Sequence, residues 1–325
     1  MRFVLMIEPQ QGLTYIEQLA VAQHAEAAGF EALFRSDHYE SFPGSANNPT
    51  TDAWTVLAGL ARETTRIGLG TLVSPVTFRL PGNLAKVVST VDEMSGGRVE
   101  LGLGAGWHDD EHRRHGLPFP PIAERAEMLE EQLEIVSGLW TEPDGWSFSG
   151  KHYTVEDAHF RPRPMAATGR PKSPSGRTRP RIIVGGSSPR SLRIAARWAD
   201  ELNISSSRPE EASAKFAELD DACRAIGRDP KSITRSVMAG VLVGATDAEL
   251  ASRETAVQAA LGTKDAGEEW LEERRGRWII GTPDVARAAV ERFAAAGAER
   301  VMLQDFVARD LDMIDLLGRE LVAKM

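Results

Sequence analysis

A single cysteine, Cys223, stands in a chain of 325 residues. That excludes an internal disulfide and disfavours a thiolate metal cluster within one chain. Cys223 falls on the helical spacing Phe216, Leu219, Cys223, Ile226, so packing in the core is expected rather than reactivity. No apolar run approaches the roughly 18 residues needed to cross a bilayer. Residues 1–7 are too short for a signal peptide and read as a first strand. An excess of positive charge is missing as well. The net charge is −9, opposite to the basic surface that nucleic-acid binding requires. These absences lead to the expectation of a cytoplasmic globular protein, with enough apolar residues for a large core.

What is present is a repeated strand ending. Gly96-Gly97-Arg98-Val99-Glu100-Leu101-Gly102-Leu103-Gly104-Ala105-Gly106-Trp107 begins as a turn and continues as a strand, with Val99, Leu101 and Leu103 alternating. It then becomes almost bare backbone before a large aromatic. Glycine at the end of a strand signals close approach to the main chain, here expected from a flat, partly anionic ligand. Ala32-Leu33-Phe34-Arg35 runs into Ser36-Asp37-His38, and Ile67-Gly68-Leu69-Gly70-Thr71-Leu72-Val73 into Ser74-Pro75. Arg181-Ile182-Ile183-Val184 runs into Gly185-Gly186-Ser187-Ser188. Apolar strands that each stop at polar or glycine residues predict one face that collects the chemistry, as at the carboxyl ends of barrel strands.

Strands alternate with amphipathic helices, which predicts a parallel sheet. The spacing places strands at 2–7, 31–35, 66–73, 98–104, 181–185, 200–205, about 233–243 and 299–304. Helices are expected near 14–28, 52–64, 81–94, 122–140, 188–198, 209–226, 246–260, part of 265–275, 283–296 and 310–323. Thr14 with Glu17 and Asp52 are candidate caps, and Pro81 suits a first helical position. The expected fold is α/β, a (β/α)8 TIM barrel forming one domain over 1–325. Its loops are enlarged after helix 4, where residues 146–155 suggest a hairpin, and after strand 7.

The residues Ile67 to Pro75, Phe78-Arg79, Leu84-Ala85-Lys86, Asp92, Ser95-Gly96-Gly97-Arg98, the 102–107 run and His115-Gly116 resemble the bacterial-luciferase-like flavin and deazaflavin oxidoreductases. The likeness extends to Ser36-Asp37-His38, Gly185-Gly186, Ala199-Asp200-Glu201-Leu202-Asn203 and Gly281-Thr282-Pro283. It looks closest to the branch that uses coenzyme F420, the 5-deazaflavin analogue, although FMN users share much of the pattern. The family implies an α/β barrel binding reduced flavin or F420, often as a homodimer.

In deazaflavin users an Asp-His pair matching Asp37-His38 contacts the cofactor ring, and the histidine can take part in proton transfer. Imidazole suits that role because its ordinary pKa lies near 6.5. The alternative is a loop hydrogen bond for Asp37 and a solvent-facing His38. The resemblance also implies that the peptide joining Thr71 and Leu72 is cis, forming a bulge behind the ring that involves Ser74. Gly104, Ala105, Gly106, Trp107 and His108 would line the opposite side, with a core position as the alternative for Trp107. Their Gly-x-Gly-x-Gly lacks the spacing and position of the dinucleotide fingerprint. His108-Asp109-Asp110-Glu111-His112 contains metal-capable residues, yet Arg113 and Arg114 follow at a helix start. A solvated charged face is expected there, and no metal.

Gly185, Gly186, Ser187 and Ser188 precede a helix and could bind a phosphate with free amides and hydroxyls, or form a simple capped turn. Arg161, Arg163, Arg170, Lys172, Arg177, Arg179 and Arg181 have no acid between them. They could receive the acidic tail of F420 or form a solvated loop. Residues 146–153 and 270–278 are candidates for a substrate lid. The leading expectation is hydride transfer between F420 and an unidentified small organic substrate, with His38 as the catalytic residue. The alternatives are an FMN-dependent monooxygenase served by a separate reductase and a non-catalytic flavin-binding protein.

Overall fold

A computed structural model describes residues 1–165, 179–263 and 269–325. The chain runs β1 (Arg2–Ile7), α1 (Tyr15–Ala27), β2 (Ala32–Arg35), α2 (Ala53–Glu63), β3 (Gly68–Pro75), α3 (Pro81–Ser95) and β4 (Val99–Gly104). It continues through α4 (Asp109–Arg114), α5 (Ile122–Thr141), the hairpin β5 (Trp146–Ser149) and β6 (Thr154–Ala158), then β7 (Arg181–Gly185) and α6 (Pro189–Trp198). There follow β8 (Glu201–Ser205), α7 (Pro209–Ala225), β9 (Thr234–Val243), α8 (Asp247–Ala260), α9 (Glu269–Arg274), β10 (Ile279–Gly281), α10 (Pro283–Ala295), β11 (Arg300–Asp305) and α11 (Leu311–Leu317). The caps are the anticipated ones. The Thr14 hydroxyl accepts from the Glu17 amide while the Glu17 carboxylate accepts from that of Thr14. Asp52 likewise accepts from the Thr55 amide at the start of α2.

Strands β1, β2, β3, β4, β7, β8, β9 and β11 pair in parallel, and β11 returns to β1 to close the barrel. Alternation along each strand separates two layers. Val4, Met6, Ala32, Phe34, Leu72, Ile183 and Met302 fill the interior. Their neighbours Phe3, Leu5, Ile7 and Leu33 pack outward against the helices. Cys223 is buried in α7 within that outer layer. The expected strands are present, and one further strand appears. Ten-residue β9 outlasts its barrel partners, pairing with β11 through Gly240, and its free end at Val241–Val243 takes up β10.

The amino ends of the strands are closed by charge. Arg300, with no exposed surface, donates to Glu31 at 2.9 Å, Glu100 at 2.7 Å and Glu201 at 3.0 Å, and Arg181 reaches Glu201 at 2.8 Å. Burial would lower the Arg300 pKa, but Glu100 and Glu201 hold it well above its ordinary value. The chemistry is therefore left to the carboxyl ends. The β5–β6 hairpin, a candidate lid by sequence, is instead docked on α5. Glu131 accepts from the amides of Lys151, His152 and Tyr153, and Trp146 covers Gly138.

The bulge in β3 lies one bond later than expected. The cis peptide joins Leu72 to Val73, not Thr71 to Leu72. Thr71 still pairs in register with Leu101, whereas Ser74 pairs with Leu103, so the extra residue falls between them. The glycines of β4 and β7 make room for this bulge. A Cβ on Gly102 would lie 2.1 Å from the Thr71 carbonyl oxygen, one on Gly104 would lie 2.7 Å from Val73, and one on Gly185 3.1 Å from Val73. What approaches these backbones in the fold is the chain itself. Gly102→Ala should therefore cost about 1–3 kcal/mol or more in urea denaturation through overpacking. Gly82→Ala, in open space on α3, should be neutral or slightly stabilising.

Candidate active site

Past β2 the chain meets Ser36, Asp37 and His38, and the two last residues do different work. Asp37 is buried. Its carboxylate accepts from Arg79 Nη1 at 2.5 Å and from the Ser74 hydroxyl at 2.7 Å. Ser74 in turn accepts from the Trp54 indole at 3.1 Å, and Arg79 also binds Asp52, the cap of α2. Burial disfavours the Arg79 charge, but Asp37 and Asp52 raise its pKa above the ordinary value. Asp37 thus ties the end of β2 to the β3 bulge and to α2, and it presents no free oxygen to a ligand.

His38 turns toward the mouth, with 12% of its side chain exposed. Its Nδ1 lies 2.8 Å from Glu111 Oε1, and the Tyr39 amide donates to Glu111 Oε2 at 3.0 Å. Burial opposes the Glu111 charge, but the bonds from His38 and Tyr39 outweigh it and lower its pKa. An ionised Glu111 can only accept, so Nδ1 carries the proton and Nε2 faces outward. Among the described residues Nε2 has no hydrogen-bond partner. The neutral ring can take a proton there, and the charged ring can give one.

Glu111 was missed by sequence reading. Residues 108–112 were expected to form a solvated face, yet Glu111 and His112 are buried. The short helix α4 packs one side inward. His112 donates to the His108 carbonyl through Nδ1 at 2.6 Å and accepts from Thr77 at Nε2, also 2.6 Å. Asp109, Asp110, Arg113 and Arg114 form the exposed side as expected. No local signal sets the acid at 111 apart from Asp109 and Asp110, because its partner His38 lies 73 positions away.

Beside His38 stand Phe42, Trp107 and His108. The His38 ring meets Phe42 edge-on at 4.5 Å and Trp107 at 5.8 Å, and Phe42 lies 4.3 Å from His108. Trp107 is 65% exposed, so it is not a core residue. Arg125 steadies the turn before it, donating to the Ala105 carbonyl at 2.9 Å. Across the mouth, Gly104 and Gly185 flank the half-buried Val73, a flat apolar platform with Leu72 beneath it. Thr71 is buried below, bonded to the Gly102 carbonyl at 3.2 Å. Gly186, Ser187 and Ser188 lead into α6, where the Ser188 hydroxyl accepts from the Ser191 amide at 3.1 Å and Ser187 is exposed.

The basic run behaves differently from its sequence. Arg161 and Arg163 bind Asp144, Arg179 binds Asp200 in the interior, and Arg181 binds Glu201. These four are committed to acids remote in sequence. Arg170, Lys172 and Arg177 lie outside the described residues.

A second polar group closes the ends of β1 and β11. Gln304 and Gln10 each donate to one oxygen of Glu8, Gln10 at 2.7 Å, and Ser36 donates to Gln10 at 2.6 Å. Asp305 is fully buried, and burial pushes its carboxyl up to about 7.

With this geometry in view, a family model described as luciferase-like monooxygenase matches residues 1–300. The chain belongs to that family. It is 34% identical over 208 residues to an F420-dependent glucose-6-phosphate dehydrogenase of Microbacterium testaceum, covering 63% of this chain and 57% of that relative's length. It is 28% identical over 248 residues to the pyrimidine monooxygenase RutA of Stutzerimonas stutzeri, covering 74% and 64%. The fold matches that of an F420-dependent secondary alcohol dehydrogenase solved with an F420-acetone adduct. There the TM-score is 0.81 at 18% identity, over 100% and 99% of the two chains. No described helix is long and apolar enough to cross a membrane.

Two outcomes are expected. Arg79→Met leaves Asp37 buried without its counter-charge and should cost about 3–5 kcal/mol. Adding Asp37→Asn should recover part of that loss in the same denaturation assay. For Asp305 the raised native pKa means that the folded state keeps a proton the unfolded chain has lost between about pH 4 and 7. The parent therefore loses stability across that window. Asp305→Asn should gain on the parent as pH rises through it and hold a constant lead above pH 7, read from urea midpoints.

Proposed function

We propose that this chain is an oxidoreductase that uses coenzyme F420 for hydride transfer to or from a small organic substrate, with His38 as the proton-handling residue. The observation that carries the reading is the His38–Glu111 pair, a histidine with one nitrogen held by a buried carboxylate and the other turned to the mouth. The F420-dependent dehydrogenase relative supports the choice of cofactor. The residues fit such a group. Val73, bare of neighbouring Cβ atoms at Gly104 and Gly185, offers a flat apolar surface for a ring. The strand end at Gly185, Gly186, Ser187 and Ser188 opens the ten-residue helix α6; Pro189 has no amide hydrogen and Ser191 donates to Ser188, so a phosphate would be held by the Arg190 amide and the exposed Ser187 hydroxyl. Leu72, Ala105, Gly106, Trp107 and His108 would complete the walls. Thr71, Ser74 and Asp37 would act from behind, by holding the bulge and the His38 turn in place.

When bound, the deazaflavin supplies or accepts the hydride. His38 Nε2 would then take or return the substrate's proton, and Glu111 would hold the ring's orientation. The working form is proposed to be a cytoplasmic homodimer, its association measurable by light scattering.

The test is a titration of the purified chain with F420 and with FMN, oxidised and reduced. F420 should bind, and FMN should bind far more weakly. Tight FMN binding with no response to F420 would overturn the reading in favour of a monooxygenase, the activity of the RutA relative. His38→Ala should lower turnover by about 10²–10⁴-fold while changing F420 affinity only slightly. Glu111→Gln should lower turnover in the same direction by a smaller factor.

A further inference from the structure

A helix of six residues cannot hold its place by backbone hydrogen bonds alone, because isolated helices below about 12 residues are marginal in water. Yet α4 is such a helix, and it carries Glu111, the partner of His38. No side-chain bond caps its start at His108. What seats it is His112, which has no exposed surface. Nδ1 of this ring faces the His108 carbonyl at 2.6 Å, and a carbonyl can only accept, so Nδ1 carries a proton. In the neutral ring Nε2 then accepts from the Thr77 hydroxyl, also at 2.6 Å. Thr77 is itself buried, in the segment just after β3. The ring packs against Phe119 at 4.3 Å between centroids and Phe78 at 5.1 Å. Phe78 stacks in turn on Tyr39, 4.5 Å away, whose amide donates to Glu111. Both hydrogen-bond partners of His112 are uncharged oxygens, which suits a brace rather than a proton carrier.

We infer that His112 is a positioning residue for the proton-handling pair: its two bonds fix the rotation of α4, and that rotation aims Glu111 at His38. Successive residues on a helix lie about 100° apart. With His112 locked toward Thr77 beyond β3, the preceding side chain points to the end of β2, where His38 and Tyr39 receive it. Glu111 does not secure this direction by itself. A glutamate side chain gives up much rotamer freedom when ordered, so a helix free to turn would release its carboxylate to water. With Glu111 aimed, His38 keeps its proton on Nδ1 and presents a bare Nε2 to the mouth. With Glu111 released, the ring can take the other tautomer and lose that acceptor. The bearing on catalysis rests on the hydride-transfer reading, whereas the coupling of His112 to the His38 ring does not.

The experiment reads the His38 tautomer in the chain without cofactor, from the imidazole nitrogen NMR shifts of protein carrying isotope-labelled histidine. The His38 signals are assigned by their loss in His38→Ala. The parent should show the Nδ1–H form. His112→Phe keeps a ring between Phe78 and Phe119 but makes neither bond. The ratio of Nδ1–H to Nε2–H at His38 should then fall about tenfold, the size expected when a hydrogen bond to a charged group is lost. Thr77→Val removes one hydroxyl at nearly constant shape and should lower the ratio about threefold. His112→Asn sets an amide nitrogen where Nδ1 stands and should restore most of the parent ratio.

A merely structural His112 would lower the urea midpoints of these variants and leave the His38 tautomer as it is. An unchanged ratio in Thr77→Val or in His112→Phe overturns the proposal, as does a ratio in His112→Asn as low as in His112→Phe. If His112→Phe does not fold, Thr77→Val decides alone. Because no cofactor is present, failure here is separate from failure of the F420 titration.

Discussion

A carboxylate with no access to water must be given a counter-charge, and meeting that demand at Asp37 organises the active end of this barrel. Arg79 and Ser74 supply the partners. To do so, the segment after β3 must fold back over β2, and Asp52 must bring the start of α2 to the same guanidinium. A buried pair of this kind adds little net stability over an apolar substitute, because desolvation offsets most of the attraction. It does fix geometry, since breaking it strands a charge. His38, the next residue, inherits its direction from that anchor, and Glu111 completes the restraint from α4.

The two ends of the barrel handle charge in opposite ways. At the amino ends Arg300 gathers Glu31, Glu100 and Glu201 into a closed network that leaves one oxygen, Glu201 Oε1, without a partner. At the carboxyl ends the acids are spread over several separate partners. Asp37 is saturated, Glu111 spends both oxygens on His38 and Tyr39, and Asp305 retains an oxygen without a partner.

Glycine has a double meaning in this fold. Gly102 and Gly104 signalled close approach, and close approach is what they provide. The approaching group is the Thr71 carbonyl and the Val73 side chain of the adjacent bulge. The platform proposed for the cofactor therefore depends on glycines that the cofactor need not touch. A motif that looks like a ligand cradle can be a step removed from the ligand, shaping the protein surface that does the contact.

The barrel order, the capping by Thr14 and Asp52 and the burial of Cys223 were legible in the sequence because they rest on periodicity and on bonds between residues three or four apart. The Asp37-His38 turn was legible as a pair at a strand end, but not that Asp37 gives its carboxylate to Arg79 and Ser74. The position of the cis bond was not, since the register between Thr71 and Ser74 is set by pairing with Leu101 and Leu103 on another strand. Nor was the service of Arg161, Arg163, Arg179 and Arg181 to acids elsewhere in the chain. Glu111 lies 73 positions from His38, and no local pattern distinguishes it from its solvated neighbours Asp109 and Asp110. Sequence by itself determined which segments become strands and which end carries polar residues, because backbone geometry and side-chain alternation are local. Tertiary structure alone decided which acid meets which base, because charge pairing acts through space and is strongest where the fold has removed the water between them.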